Sequence, residues 1–192
     1  KGVKMFKVFL SVLSLSLLAF GHTNAGETSG LLHGFSHPIG GADHLLAMFA
    51  VGLFAAQVGG RSLILIPLSF VSMMLVGGIF GINGIQIGFV EEAILASVVA
   101  IGALVAFGVK LPVVLSMAIV GSFALFHGVA HGAEMPLDAN GALYALGFIS
   151  ATSLIHLVGI VFSFAVSKIL NNKVSKVAGI VVAASGVALA SM

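Results

Sequence analysis

Two short clusters of histidine and acidic residues could bind a metal ion. The first is "HPIGGADH", residues 37–44, and the second lies in "FHGVAHGAE", residues 126–134. Imidazole and carboxylate groups together suit Ni²⁺, Co²⁺, Zn²⁺ or Cu²⁺. The chain has no cysteine, so thiolate ligands are excluded. The clusters provide six candidate metal ligands: His37, Asp43, His44, His127, His131 and Glu134.

The spacing within each cluster limits how its side chains can meet. His127 and His131 are four residues apart and share one face of a helix. Glu134 joins that face if the helix extends three residues past His131. Asp43 and His44 are adjacent, so they point about 100° apart on a helix and can border one crevice from two directions.

Five further residues are weaker candidates for the same metal. A histidine inside the membrane can bind the metal at a deeper position or form a hydrogen bond between helices. An acidic residue at the start of a helix is stabilised by the helix dipole even without a metal. Thioethers are weak soft donors, and methionine more often fills a core. These additional candidates are His33, Glu91, His156, Met48 and Met117.

The composition indicates an integral membrane protein. Of the 192 residues, 59% are hydrophobic and only 7% are charged, whereas soluble domains have about 25% charged residues. The lipid bilayer is therefore an expected partner, and no nucleic-acid partner is expected. A monomer and a homo-oligomer are both consistent with the sequence, because lipid-facing and partner-facing surfaces look alike in a sequence.

Six apolar segments are long enough to cross about 30 Å of hydrocarbon, which takes roughly 20 residues. Short linkers between them predict a single transmembrane helical domain over residues 26–192, an all-α bundle. Pro38 suits the first turn of the first helix, with Ser36 or His37 as its N-cap. The predicted helices span about 38–58, 63–81, 90–108, 112–131, 141–167 and 175–191.

The first 25 residues have the order of a secretory signal peptide. Three lysines precede an apolar stretch over residues 8–20, and small residues follow near Ala25. An uncleaved first helix is the alternative. Either arrangement places the segment after Ala25 outside the cytoplasm.

Charge placement then predicts the topology. With residue 26 outside, every later lysine and arginine falls on the cytoplasmic side, as the positive-inside rule requires. We therefore expect a multi-pass protein of a bacterial-type inner membrane, with both mature termini extracytoplasmic. Both histidine clusters then lie near the outer face and could meet there.

The two clusters resemble the signatures of a known family, the HupE/UreJ hydrogenase and urease accessory membrane proteins. The first matching pattern is His37-Pro38-x-x-Gly41-x-Asp43-His44. The second is Phe126-His127-Gly128-x-x-His131-Gly132-x-Glu134. The resemblance implies a secondary permease for nickel, or for cobalt in some members, linked to nickel-enzyme maturation. It also implies that the six residues of the clusters bind the metal.

Two classes of function compete on the residues alone. The chain has no P-loop of the G-x-x-x-x-G-K-[ST] type, so a transporter here would work without ATP hydrolysis in this chain. The residues predict import of a divalent transition metal and no enzyme activity, and the resemblance implies Ni²⁺ as the metal, with Co²⁺ or Zn²⁺ as alternatives. The main alternative is an intramembrane zinc-dependent hydrolase using the same cluster, although Gly128 stands where H-E-x-x-H has its glutamate. A structural metal site is the third interpretation.

Overall fold

The computed structural model describes residues 30–85, 87–136, 139–170 and 173–192. This part of the chain is helical and contains no strand, as the sequence predicts. The predicted signal peptide, residues 1–25, lies outside the described residues. The helices are α1 (Gly30–Gly40), α2 (Ala42–Val58), α3 (Ser62–Ile82), α4 (Val90–Ala106), α5 (Val113–Ala133), α6 (Gly141–Leu170) and α7 (Lys173–Ala190).

Four of these helices are long and apolar enough to cross a membrane, namely α3, α5, α6 and α7. Helices α1 and α2 pass the same test only as a pair, which makes them one broken span or a re-entrant segment. Helix α4 has 17 residues, near the lower limit of about 17 for a crossing. Large apolar side chains such as Ile64 and Val114 are more than two-thirds exposed, which suits contact with lipid. The chain is thus a multi-pass membrane protein.

The first predicted helix, residues 38–58, differs in the structure. The segment is divided between α1 and α2, and the two axes differ by 84°. Gly41 separates them with an extended backbone, at φ −95° and ψ 122°. Any residue can adopt this backbone conformation, but the consecutive glycines at 40 and 41 favour the end of a helix because glycine is a poor helix former.

The expected start of the helix at Pro38 is also wrong. Pro38 lies near the end of α1, and Gly41 is the N-cap of α2, with no side-chain cap hydrogen bond. Ser36 instead donates its hydroxyl hydrogen to the carbonyl of His33, at 3.1 Å. Proline lacks an N–H and disfavours further helix, so Pro38 marks the end of one helix here and not the start of the next.

Helix α2 lies at the centre of the described helices and contacts all six others. Its side chains from Ala47 to Ala55 are nearly all buried, among them Met48 and Phe54. Near its end, the Gln57 amide donates hydrogen bonds to the carbonyls of Leu104 at 2.9 Å and Val109 at 2.8 Å. The start of α2 is therefore held in a fixed position relative to its neighbours.

Glycines let α3 and α5 pack backbone against backbone. A Cβ atom at Gly128 would collide with the Met74 carbonyl, and one at Gly132 would collide with the Gly78 carbonyl. On the other helix, a Cβ atom at Gly81 would collide with the carbonyl of Val129. Small residues commonly permit this close approach in membranes. The crossing fixes the part of α5 that contains the second histidine cluster.

Candidate metal centre

The structure brings the two clusters together in two overlapping groups of side chains. We call His44, His127 and His131 the buried triad, and His37, His131 and Glu134 the rim triad. Within each triad, one ligand atom per residue lies within 4.8 Å of the others. His131 belongs to both triads, so the two groups form one continuous cluster.

The buried triad consists of imidazoles alone. The ring centroid of His44 lies 4.2 Å from that of His131 and 4.9 Å from that of His127. His127 is fully buried, and His131 is 4% exposed. Helix α5 supplies His127 and His131 from one face, as their spacing predicts, and the first turn of α2 supplies His44.

The rim triad adds a carboxylate and is open to solvent. The His37 Nε2 atom lies 2.8 Å from Glu134 Oε2, and the same oxygen lies 3.9 Å from His131 Nδ1. The Glu134 side chain is 55% exposed. Helix α1 positions His37 by packing on α6, where Gly34 meets the backbone of Tyr144.

Asp43 contacts His44 and is outside both triads. Its Oδ1 atom accepts hydrogen bonds from the His44 backbone N–H at 2.8 Å and from His44 Nδ1 at 2.9 Å. A carboxylate is an acceptor only, so Nδ1 of His44 holds the proton. The Nε2 atom then has a free lone pair, and it has no hydrogen-bond partner among the described residues. Carboxylates commonly orient histidine ligands in this way.

Ser97 has the equivalent position beside His127, and the sequence analysis did not identify it. The Ser97 hydroxyl donates to the Ile94 carbonyl at 2.6 Å, and its oxygen lies 3.0 Å from His127 Nε2. A hydroxyl has one hydrogen to donate, so both hydrogen bonds form together only in the tautomer of His127 that has its proton on Nε2. That tautomer leaves the Nδ1 lone pair of His127 free, and Nδ1 has no partner within the described part of the chain.

Two of the additional candidates lie beside the triads without belonging to either. His33 is half-buried, and its ring stacks on His37 with the centroids 6.1 Å apart. Glu91 is exposed and borders the same surface opening as Glu134. Tyr144, which the sequence analysis also missed, donates its hydroxyl hydrogen to the His131 carbonyl at 3.4 Å.

The other additional candidates lie away from the triads. His156 is 1% exposed, and its ring centroid is 5.0 Å from that of Phe70. Met48 is fully buried in the apolar core. Met117 is partly buried and packs against that core. Both methionines therefore have the core-filling role that is common for this residue type.

The triads offer the ligand chemistry of a borderline divalent metal. Three imidazoles suit Ni²⁺, Co²⁺, Cu²⁺ or Zn²⁺, and the rim adds a carboxylate oxygen. Neutral imidazoles leave the charge of a dication uncompensated, but the Asp43 carboxylate lies beside the buried triad and the Glu134 carboxylate belongs to the rim triad. The arrangement can accept an ion at the exposed rim and enclose it among imidazoles beneath.

Comparison with known proteins identifies the family of the chain. The family described as HupE / UreJ protein matches residues 10–189 of the chain. Protein HupE of Rhizobium leguminosarum bv. viciae is 40% identical over 188 residues, which cover 97% of this chain and 98% of that protein. No solved structure is significantly similar to the chain. The matched region includes both histidine clusters and, apart from Ala190, all described helices, and the chain belongs to the HupE/UreJ family.

Proposed function

We propose that the chain is a secondary transporter that imports a divalent transition metal, Ni²⁺ in the first place and Co²⁺ as the alternative. The observation that supports it most is that four ring nitrogens of the buried triad have no hydrogen-bond partner among the described residues. His131 has no hydrogen-bond partner at either ring nitrogen among the described residues, although it is buried. Leaving buried polar atoms unpaired costs about 1–3 kcal/mol each. A passing metal ion would supply the missing partner.

Transport would begin at the rim triad. A hydrated dication approaching the opening meets the exposed Glu134 carboxylate and the partly exposed His37 imidazole. Ligand exchange there removes the first water molecules. His131 then connects the ion to His44 and His127, where imidazoles replace further water. The negative charge of Asp43 beside His44 offsets part of the ion's charge in a low-dielectric region.

The proposed orientation places the rim triad outside the cytoplasm. It requires six membrane passes, with α1 and α2 forming the first and α4 a short third, and a signal peptide over residues 1–25. The positions of Arg61, Lys110 and Lys168 on the opposite side support it. An inside-negative potential would then favour entry of a dication by about 4.6 kcal/mol per 100 mV, since each charge contributes about 2.3. The imported metal would serve the maturation of nickel enzymes.

The zinc-hydrolase alternative has no support from these findings. Its general base would be Glu134, since glycine follows His127 where H-E-x-x-H has its glutamate. The Glu134 carboxylate instead contacts His37 at 2.8 Å. The family membership also favours a transport-related role.

Uptake by reconstituted protein tests the proposal. Liposomes with a metal-sensing dye inside and an imposed inside-negative potential receive Ni²⁺, Co²⁺ or Zn²⁺ outside. We expect Ni²⁺ uptake by the wild type and none by His127→Ala or Asp43→Ala. Ser122→Ala is the matched control on α5, because its exposed hydroxyl bonds only the Ala118 carbonyl of its own helix. Stoichiometric metal binding by the wild type without uptake of any metal would contradict transport and favour a structural metal site.

A further inference from the structure

His156 is a buried ionisable residue that neither triad uses. It lies in the middle of α6 and is 1% exposed, and neither ring nitrogen has a hydrogen-bond partner among the described residues. A histidine that forms a hydrogen bond between helices would have a hydrogen-bond partner on a neighbouring helix. Ionisable groups inside a membrane are costly and usually have a function. The packing alone therefore does not account for His156.

The depth of His156 follows from the helix on which it lies. Phe148, on the same helix, packs on His131 with their ring centroids 4.2 Å apart, and so marks the level of the triads. His156 comes eight residues later, about 12 Å further along α6 at 1.5 Å per residue. The carbonyl of His156 also contacts Gly52, which lies two turns beyond His44 on α2. His156 therefore lies deeper in the bundle than the buried triad.

Phe70 contacts both the buried triad and His156. Its ring centroid is 5.4 Å from that of His127 and 5.0 Å from that of His156. Phe70 itself is fully buried. One aromatic ring therefore lies between two imidazoles, and its rotation would change the contact between them. An apolar ring at such a point also opposes the passage of water.

Two further side chains with oxygen or sulfur atoms that can bind a metal lie one helical turn away from the contact between Phe70 and His156. Thr152 precedes His156 by four residues on α6, and Met74 follows Phe70 by four residues on α3. The Thr152 hydroxyl lies 3.9 Å from the Met74 sulfur. Both side chains are buried. The interface between α3 and α6 therefore presents an imidazole, a hydroxyl and a thioether in an apolar surrounding.

We propose that His156 is a second, transient binding site for the transported divalent ion, which passes to it from the buried triad beside Phe70. This inference rests on the proposed function. A site with one imidazole holds an ion less tightly than a site with three imidazoles does. Conduction requires that each successive site release its ion, so a weak site below a stronger one permits inward movement.

Ni²⁺ uptake by His156→Leu tests the inference in the same liposomes. We expect the initial rate of uptake to fall at least tenfold, while the purified variant still binds Ni²⁺ at the triads with an affinity within about twofold of the wild type. Ser163→Ala is the matched control, since Ser163 is a buried polar residue on α6 whose hydroxyl meets that of Ser175. It should leave uptake unchanged.

A second variant separates metal binding from packing. Glutamine at position 156 keeps hydrogen-bonding capacity but is a poorer metal ligand, so His156→Gln should be as slow as His156→Leu. Recovery of uptake in His156→Gln would overturn the inference and make His156 a packing residue. Normal uptake by His156→Leu with none by His127→Ala would also overturn it, yet leave the proposed transport intact. Equal uptake by wild type, His127→Ala and His156→Leu would contradict both.

Discussion

The rim triad and the buried triad share His131 but differ in almost every other property. The rim triad includes a carboxylate, Glu134, which is more than half exposed. The buried triad has only imidazoles, and none of its residues is more than 9% exposed. A carboxylate at the surface attracts a hydrated cation, whereas enclosed imidazoles replace its water. Under the proposed function, the rim triad would therefore capture the ion and the buried triad would dehydrate it.

The two triads also differ in how the backbone builds them. Helix α5 presents His127 and His131 on one regular face, held close to α3 by glycines such as Gly128. The partner histidines come from either side of the break at Gly41, with His37 on α1 and His44 on α2. On a straight helix, two residues seven positions apart share one face but lie about 10.5 Å apart along the axis. With the bend at Gly41, the rings of both histidines lie close to that of His131, at centroid distances of 4.9 and 4.2 Å.

The largest effect is expected from His131→Ala, which removes the shared residue. Loss of a residue that only orients a metal ligand costs about 10–100-fold in affinity, so we expect more than about 100-fold weaker Ni²⁺ binding and no measurable uptake. His37→Ala should weaken binding less, because the three imidazoles of the buried triad remain. Isothermal titration of the purified variants measures both affinities.

Equal losses in His37→Ala and His131→Ala would contradict a division into two triads. The thermal unfolding of each variant in detergent serves as the control, because His131 is buried and packs on Phe148, with their ring centroids 4.2 Å apart. A variant that unfolds like the wild type but does not bind Ni²⁺ has lost a ligand and not its fold.

A smaller effect is expected from Glu134→Gln, which removes the negative charge of the rim triad and keeps the shape of the side chain. The half-saturating Ni²⁺ concentration for uptake should rise about tenfold, or about 1.4 kcal/mol, while the maximal rate changes less than about twofold. Added salt should affect the wild type more than the variant, since exposed charges are screened. Glu92→Gln is the matched control, because Glu92 is also exposed but lies outside both triads.

A fall in the maximal rate of Glu134→Gln, at an unchanged half-saturating concentration, would contradict a role in capture. That result would instead give Glu134 a role in moving the ion through the protein.

The regular parts of this arrangement could be predicted from the sequence. Long apolar segments separated by short polar breaks gave helices that match α3 to α7 within a few residues. The spacing of His127 and His131 predicted their common face, because helical periodicity is a local property. The histidine clusters were recognisable because ionisable groups are rare in so apolar a chain.

The parts that depend on tertiary contacts could not be predicted. Pro38, with glycines at 40 and 41, is consistent with either a helix start or a helix break. The packing of Gly34 on α6 holds α1 as a separate helix, and this favours the break. The contact between Ser97 and His127 joins two residues that lie 30 positions apart in the sequence. A lone serine in an apolar helix usually bonds its own backbone, so the sequence contained no sign of this second contact.

The smallest effect is expected from Ser97→Ala. This variant tests whether the histidine tautomers of the buried triad are fixed by their hydrogen-bond partners. Without the hydroxyl, His127 can place its proton on Nδ1 and lose its ligand lone pair for part of the time. We expect about threefold weaker Ni²⁺ binding, below the usual 10–100-fold for an orienting carboxylate, since the other tautomer remains accessible. Ser97→Thr keeps the hydroxyl and should restore the affinity. Equal affinities for the alanine and threonine variants, both below that of the wild type, would assign the effect to packing around Ile94 and not to the proton position on His127.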